Sequence, residues 1–321
     1  MTRSVKGKSA IVTGAGSGIN LEFARVLLQN GCNVLFGDLA LRPEAEKLVD
    51  QYSQKGDGPR AVFHKTNVAS WHNLNSLFKT AETEFGTFDI VCPGAGIFEP
   101  PFSSWWNPPG SEKSQDDIVG DRYKSIDVNL THPIRSTQLA ISHFLSSSKP
   151  ASQEDLKTVV HISSIASEMN FTPVPLYNAT KWGLRGFIYT MAEIEETRHV
   201  RVAGVAPGIV RTPLWLETDK AKMIVDADGK EQNEWTTPEE VAEVMYKICT
   251  ENEIANAKGE LIPIRGGSLI EVINGDVRDV PIYGAQPPGT GTDGKGLMIS
   301  NPTEAWKDMN AAVEKPGWGK V

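Results

Sequence analysis

Tyr177 and Lys181 stand four residues apart, a spacing that puts both on one face of a helix. Ser164 lies upstream, just past an apolar run. A phenol with a pKa of about 10 is a poor base at neutral pH, but an adjacent ammonium favours phenolate and lowers that value. The expected chemistry is proton exchange at a substrate oxygen, with Tyr177 carrying the proton. Six tyrosines make one Tyr-x-x-x-Lys pair unremarkable by itself. Its weight comes from following a Ser-bearing strand inside a frame that reads as dinucleotide-binding.

That frame begins at Thr13-Gly14-Ala15-Gly16-Ser17-Gly18-Ile19, between an apolar strand and an amphipathic helix pattern. Glycines there let the backbone turn tightly and approach a pyrophosphate, whose charge meets N–H groups and the positive end of the helix dipole. Asp38 closes the second strand about 20 residues on, where an acid takes both ribose hydroxyls and repels a phosphate. No Lys or Arg stands at Ala15, Gly16, Ser17 or Leu39. NAD is therefore expected over NADP, with Arg42 the nearest basic residue that could argue otherwise.

The elements that must position these groups alternate as β and α. Strands are expected at residues 9–13, 33–37, 61–65, 90–92, 158–162, 201–205 and 261–264, several of them wholly apolar, as a parallel sheet covered on both faces requires. Helices are expected at 19–29, 43–54, 74–85, 118–144, 177–197 and 238–250, the last opening on Thr237-Pro238-Glu239-Glu240. The fold class is α/β, a single doubly wound Rossmann domain with a seven-stranded parallel sheet over residues 1–267. Residues 268–321 are expected to form a Gly/Pro-rich C-terminal extension, since 12 of the 41 residues from Pro281 onward are Gly or Pro. Within it, Asn301-Pro302-Thr303-Glu304 reads as a helix start, with Trp306, Met309 and Val313 on one face. That short helix is expected to dock on the core or a partner subunit, near the substrate mouth.

Composition narrows the function classes. The 321 residues carry a net charge of −8 and have no long basic run, which disfavours nucleic acid. Apolar residues make up 40%, and no apolar run approaches the roughly 18 residues of a membrane span. Cys32, Cys92 and Cys249 are far apart and odd in number, so they read as buried small hydrophobes in a reducing compartment. No apolar leader follows residues 1–8, and a cytoplasmic location is expected. The six histidines show no ligand spacing, and Asp226-Ala227-Asp228-Gly229 reads as a plain turn, so no metal is expected.

With these motifs assembled, the chain resembles the short-chain dehydrogenase/reductase family over roughly residues 8–267, and within it the hydroxyprostaglandin dehydrogenase-type NAD-dependent alcohol dehydrogenases. Thr13-Gly14-x-x-x-Gly18-Ile19 matches its cofactor turn, Asp38 its NAD selector, and Asn67-Val68 the strand end that holds adenine. Asn129, Ser164, Tyr177 and Lys181 match its catalytic tetrad, and Pro207-Gly208-Ile209-Val210-x-Thr212 its nicotinamide-side segment. The resemblance implies that Ser164 hydrogen-bonds the reacting oxygen, Lys181 lowers the Tyr177 pKa and holds the ribose, and Asn129 positions a water that relays protons to Lys181. It also implies contacts from Ser17, Leu39, Gly94, Ala95 and Gly96, and a homo-oligomer, dimer or tetramer. Two positions depart from the pattern: Asn20 replaces the third glycine, and Pro93-Gly94-Ala95-Gly96 replaces Asn-Asn-Ala-Gly. Retained chemistry with altered adenosine-side contacts is expected.

Segments after the fourth, fifth and sixth strands should border the substrate, because ligands sit at the carboxyl ends of such sheets. They carry Phe98, Phe102, Trp105 and Trp106, then Met169, Phe171 and Val174, then Leu214, Trp215, Met223 and Trp235. Such a wall suits a bulky apolar secondary alcohol or its ketone. Two other classes remain open: a redox-neutral biosynthetic enzyme, such as a dehydratase or cyclase, on the same fold, and a non-catalytic cofactor sensor.

Overall fold

A computed structural model describes residues 2–54, 56, 58–217, 235–281 and 302–319. Met223, the 226–229 turn and the Asn301 cap fall outside the described residues, as does the Trp306 side chain.

The first strand, β1 (Ser9–Thr13), is buried along its whole length and lies inside the sheet. It pairs in parallel with β2 (Asn33–Asp38) on one side and β4 (Ile90–Pro93) on the other. β3 (Ala61–Lys65) lies outside β2, while β5 (Lys157–Ile162) and β6 (Val200–Pro207) extend the other half. Burial on both faces explains the mostly apolar character of β1 and β6, in which Arg201 is the one charged residue and is held by Glu195 and backbone carbonyls.

One sheet face packs on α1 (Gly18–Gln29), α2 (Pro43–Gln51) and α9 (Pro238–Thr250), through residues such as Phe23, Leu27, Leu48, Met245 and Ile248. The other packs on α3 (Trp71–Phe85) and α5 (His132–Ser146), through Leu74, Leu77, Leu139 and Phe144. Burying each such side chain stabilises the fold by roughly 1.5–3 kcal/mol. The three cysteines are buried and unpaired. Helix α9 begins as its sequence implies: Thr237 Oγ1 accepts from Glu240 N–H, and Glu240 Oε2 accepts from Thr237 N–H at 2.6 Å. α3 starts earlier than its apolar pattern, because Ser70 accepts from Asn73 N–H and caps it.

The expected 118–144 helix begins late. Asp117 and Arg122 exchange two backbone hydrogen bonds of 3.0 Å, and Asp121 takes a left-handed φ of 52°. This turn leaves Ile118 and Val119 exposed. The helix proper is α4 (Lys124–Ile126), a π-helical turn at Asp127–Thr131, then α5. The expected 177–197 helix is α6 (Pro175–Thr190) followed by α7 (Ile194–Arg198).

The sheet's seventh parallel strand is not 261–264. That segment forms β8 (Leu261–Pro263), which pairs antiparallel with β7 (Glu253–Ala255) in a separate two-stranded sheet. Leu261 is exposed and Pro263 has no N–H to give a ladder, both at odds with a central strand. The seventh parallel strand is β9 (Leu269–Ile273), and β10 (Asp276–Asp279) returns antiparallel at the edge through Asn274-Gly275. Both turn residues have positive φ, 47° and 76°, as the tight hairpin turn requires. The boundary drawn after Gly267 therefore cuts the sheet, whose order is β10-β9-β6-β5-β4-β1-β2-β3.

Beyond the sheet, α10 (Pro302–Val313) is tied through its C-terminal end. Arg198 donates to Asn310 Oδ1 at 2.6 Å, the Ser142 hydroxyl donates to Trp318 O, and Trp318 packs on the α3/α5 core. This is the end of the molecule where α5 finishes and β5 begins, opposite the carboxyl strand ends. The extension docks, but away from the mouth where it was expected. Among the described residues no helix is long and apolar enough to cross a membrane.

Candidate active site

Strand order reverses at β1, which has β2 on one side and β4 on the other, so a crevice opens at their carboxyl ends. A cavity of about 560 Å³ occupies it. Gly14 and Gly18 have φ of 72° and 59°, a region costly for residues with a Cβ. A Cβ on Gly16 would collide with Ala40 O. No side chain caps α1 and its first turn holds no acid, so its N-terminal N–H groups and dipole face the cavity uncompensated. Asp38 is fixed from below: Oδ2 accepts from Gly16 N–H at 2.8 Å and Oδ1 from Leu39 N–H at 2.6 Å. This cradle could hold a dinucleotide, the turn offering N–H groups to a pyrophosphate and Asp38 a carboxylate to ribose hydroxyls.

Ser17, Ile19, Leu39, Asn67, Val68, Gly94, Ala95, Gly96, Pro207, Gly208 and Thr212 also line the cavity. Ile209 does not line it, and its neighbour Val210 does. Arg42 lines the same cavity, and its guanidinium forks onto Glu217 through bonds of 2.7 and 2.6 Å. Glu217 directly follows α8 (Pro213–Leu216), and both members of the pair line the cavity. The pairing keeps the Glu217 carboxyl below the usual range. Nothing in sequence separation pointed to this contact.

Asn20 lines the cavity, but its polar contacts are within the protein. Its Nδ2 donates to Gly94 O at 3.0 Å, and its Oδ1 accepts from Cys92 Sγ. A Cβ on Gly94 would collide with Asn20 Oδ1, so the missing side chain at 94 makes the room that Asn20 fills. Asn20 and Gly94 thus form a clasp between α1 and the end of β4. Around Pro93 the Thr13 hydroxyl takes up the backbone: it accepts from Ala95 N–H at 3.2 Å and lies 3.1 Å from His132 Nε2. His132 is buried with its pKa lowered to about 4, and its Nδ1–H reaches Val128 O in the π turn.

Ser164, at the end of β5, caps a 3₁₀ turn (Ile165–Ser167) by accepting from Ala166 N–H. Tyr177 and Lys181 project from the first turns of α6, and all three side chains line the cavity. Asn129 is behind them, in the π turn, where Oδ1 accepts from Ile97 N–H at 2.9 Å and Nδ2 donates to Ile97 O at 2.7 Å. Its side chain braces the loop after β4.

The lowered Tyr177 pKa is not what this state holds. Burial raises it to about 12, the hydrogen bond from Ser164 pulling the other way. Burial also lowers the Lys181 pKa to about 8; its Nζ donates to Ile162 O at 2.8 Å and sits 5.4 Å from the Tyr177 ring centre. Desolvation of both groups outweighs the attraction that spacing alone suggested.

On the substrate side, Ile97, Leu214 and Trp215 line the cavity. Phe98 is buried, with its ring centre 4.7 Å from both Tyr177 and Trp215. Trp105, Trp106 and Met169 are exposed, and Trp106 Nε1 donates to Thr172 O, tying its loop to the one after β5. Glu99, unnoticed among the aromatics, is buried and accepts from Tyr177 N–H.

Residues 8–222 match the short chain dehydrogenase family. Cyclohexanol dehydrogenase of Acinetobacter sp. (strain SE19) is 28% identical over 78% of this chain and 91% of its own length. The 15-hydroxyprostaglandin dehydrogenase [NAD(+)] of Rattus norvegicus is 28% identical over 80% and 87%. The fold is similar to that of a 3-ketoacyl-(acyl-carrier-protein) reductase from Brucella melitensis complexed with NADH, with a TM-score of 0.62, 21% identity, and coverage of 84% and 98%. Since the family match spans about two-thirds of the residues and takes in the glycine turn, Ser164, Tyr177 and Lys181, the chain belongs to the short-chain dehydrogenases, a family of oxidoreductases.

Proposed function

We propose that the protein interconverts a bulky apolar secondary alcohol and its ketone, with NAD as cofactor and Tyr177 as general acid and base. The observation that carries this reading is the buried phenol of Tyr177, hydrogen-bonded to Ser164 beside Lys181, in a cavity whose lining includes Leu214 and Trp215. The nicotinamide supplies a hydride acceptor or donor. Ser164 and Tyr177 hydrogen-bond the substrate oxygen and hold its charge as it changes. In reduction, the Tyr177 phenol, protonated as it stands, gives its proton to that oxygen. In oxidation it takes the hydroxyl proton, which calls for a lower pKa and hence for positive charge beside it. Lys181, which lines the cavity and donates to Ile162 O, would hold the nicotinamide ribose when the cofactor binds.

Two features support NAD over NADP. Asp38 presents a carboxylate where a 2′-phosphate would stand, and Glu217 already occupies both arms of Arg42. The relatives named for cyclohexanol and a hydroxyprostaglandin agree with a hydrophobic secondary alcohol.

The test is a spectrophotometric screen of hydrophobic secondary alcohols and ketones with NAD and NADH, paired with cofactor binding followed by fluorescence. Tyr177→Phe is expected to lower kcat by at least about 10³-fold, within the range for general acid–base catalysis, while the NADH Kd stays within about twofold. NADPH is expected to bind at least about tenfold more weakly than NADH. Near-native turnover by Tyr177→Phe, or conversion of substrate with no change in NADH absorbance, would sink the reading.

A further inference from the structure

Glu99 lies in the loop after β4, in the left-handed region with φ of 33°, and its side chain is buried. Its carboxylate joins two segments. Oε1 accepts from the Ser104 hydroxyl at 3.1 Å and from Trp105 N–H at 3.0 Å, while Oε2 accepts from Tyr177 N–H at 2.9 Å. Helix α6 has an unusual need for that last bond. Its N-cap is Val174, which has no side-chain acceptor, and Pro175 and Leu176 precede Tyr177 in the first turn. A carboxylate delivered from another segment fills the cap and puts a negative charge at the positive end of the helix. The preceding residue, Phe98, meanwhile packs edge-on against the Tyr177 ring.

We propose that Glu99 is a positioning residue for the reaction, holding the first turn of α6, and with it the Tyr177 phenol, in register with the loop of Ser104 and Trp105. This rests on the reading of Tyr177 as acid and base. The Ser104 hydroxyl and the N–H groups of Trp105 and Tyr177 all donate, so both carboxylate oxygens accept. Glutamine has the same shape but turns one oxygen into an NH₂ group, which then faces an N–H or a hydroxyl. Glu99→Gln therefore removes the negative charge at the helix start and at least one of the accepted bonds, with almost no change in volume. A looser first turn weakens the hydrogen bond between Ser164 and the phenol, the contact that lowers the phenol pKa.

The experiment compares wild type, Glu99→Gln, Glu99→Gln/Val174→Ser and Tyr177→Phe, each checked for folding by circular dichroism. The substrate is the best secondary alcohol from the screen. Glu99→Gln is expected to lower kcat by about 10-fold or more, to leave the NADH Kd within about twofold, and to move the apparent pKa of kcat for oxidation upward. Val174→Ser supplies a local cap that can accept from Tyr177 N–H, and is expected to recover part of kcat and of the pKa displacement. If Tyr177→Phe is inactive while Glu99→Gln folds and keeps kcat and pH profile within twofold of wild type, the proposal fails and the reading of Tyr177 survives. If Tyr177→Phe is active, the reading of Tyr177 fails first. Should Glu99→Gln not fold, Ser104→Ala removes only one donor to Oε1. It is then expected to raise the apparent pKa by a smaller amount, and an unchanged profile there would overturn the proposal.

Discussion

Lys181 donates to Ile162 O from a buried position, and burial lowers its pKa from 10.5 to about 8. The sign of the linked stability follows. Below pH 8 both folded and unfolded chains carry the proton, and the full cost of burying the charge is present. Between about 8 and 10.5 the folded chain sheds its proton first and the cost shrinks; above 10.5 it is gone. Lys181→Met is therefore expected to be more stable than wild type at pH 7, by on the order of 1–3 kcal/mol, with the gap closing by pH 10.5. Urea unfolding at pH 7, 9 and 10.5 reads this directly, and a gap that does not depend on pH would contradict it. Tyr177 works in the opposite window: its folded pKa of about 12 makes the phenol costly only above pH 10, where the unfolded chain ionises. Residue types and spacing identified both groups, but their burial is set by neighbours far along the chain.

Elements meet through the clasp of Asn20 with Gly94. Replacing Gly94 by Ala puts a methyl into the Asn20 side chain, whereas the backbone at 94 tolerates it, since its φ is not positive. Gly94→Ala is expected to destabilise by about 2 kcal/mol or more, through overpacking and a lost hydrogen bond. Asn20→Gly is expected to cost about 1–2 kcal/mol. In the double variant the clash is gone, so the two costs fall well short of adding. Additive costs in a denaturation cycle would rule the clasp out. The same scale explains what was legible in the chain. The first six strands could be read from apolar runs, and α9 from its capping box. The last strands were misjudged because two apolar runs, 261–264 and 269–273, compete for one place. Pro263 and the Asn274-Gly275 hairpin decide between them, and both were visible in the sequence.

At the scale of the whole molecule, the C-terminal segment acts as a strap on the end of the fold remote from Ser164. Trp318 packs on the α3/α5 core, and Arg198 and Ser142 bond to the segment. Deleting residues 302–321 is expected to lower unfolding stability by about 1–3 kcal/mol while leaving the NADH Kd within about twofold. Denaturation together with fluorescence titration checks both halves, and a large loss of cofactor affinity would place the segment's role elsewhere. The sequence by itself determined the class of fold and picked out the glycine turn and the Ser164, Tyr177 and Lys181 side chains that line one cavity. These depend on local spacing: 3.6 residues per turn brings Tyr177 and Lys181 to one face, and a strand-turn-helix frame aims N–H groups at one point. Only the tertiary structure decided the electrostatic state of those groups, the occupation of Arg42 by Glu217 and the capping of α6 by Glu99. Each is a contact between segments tens of residues or more apart, made by side chains whose types are ordinary until the fold removes water from around them.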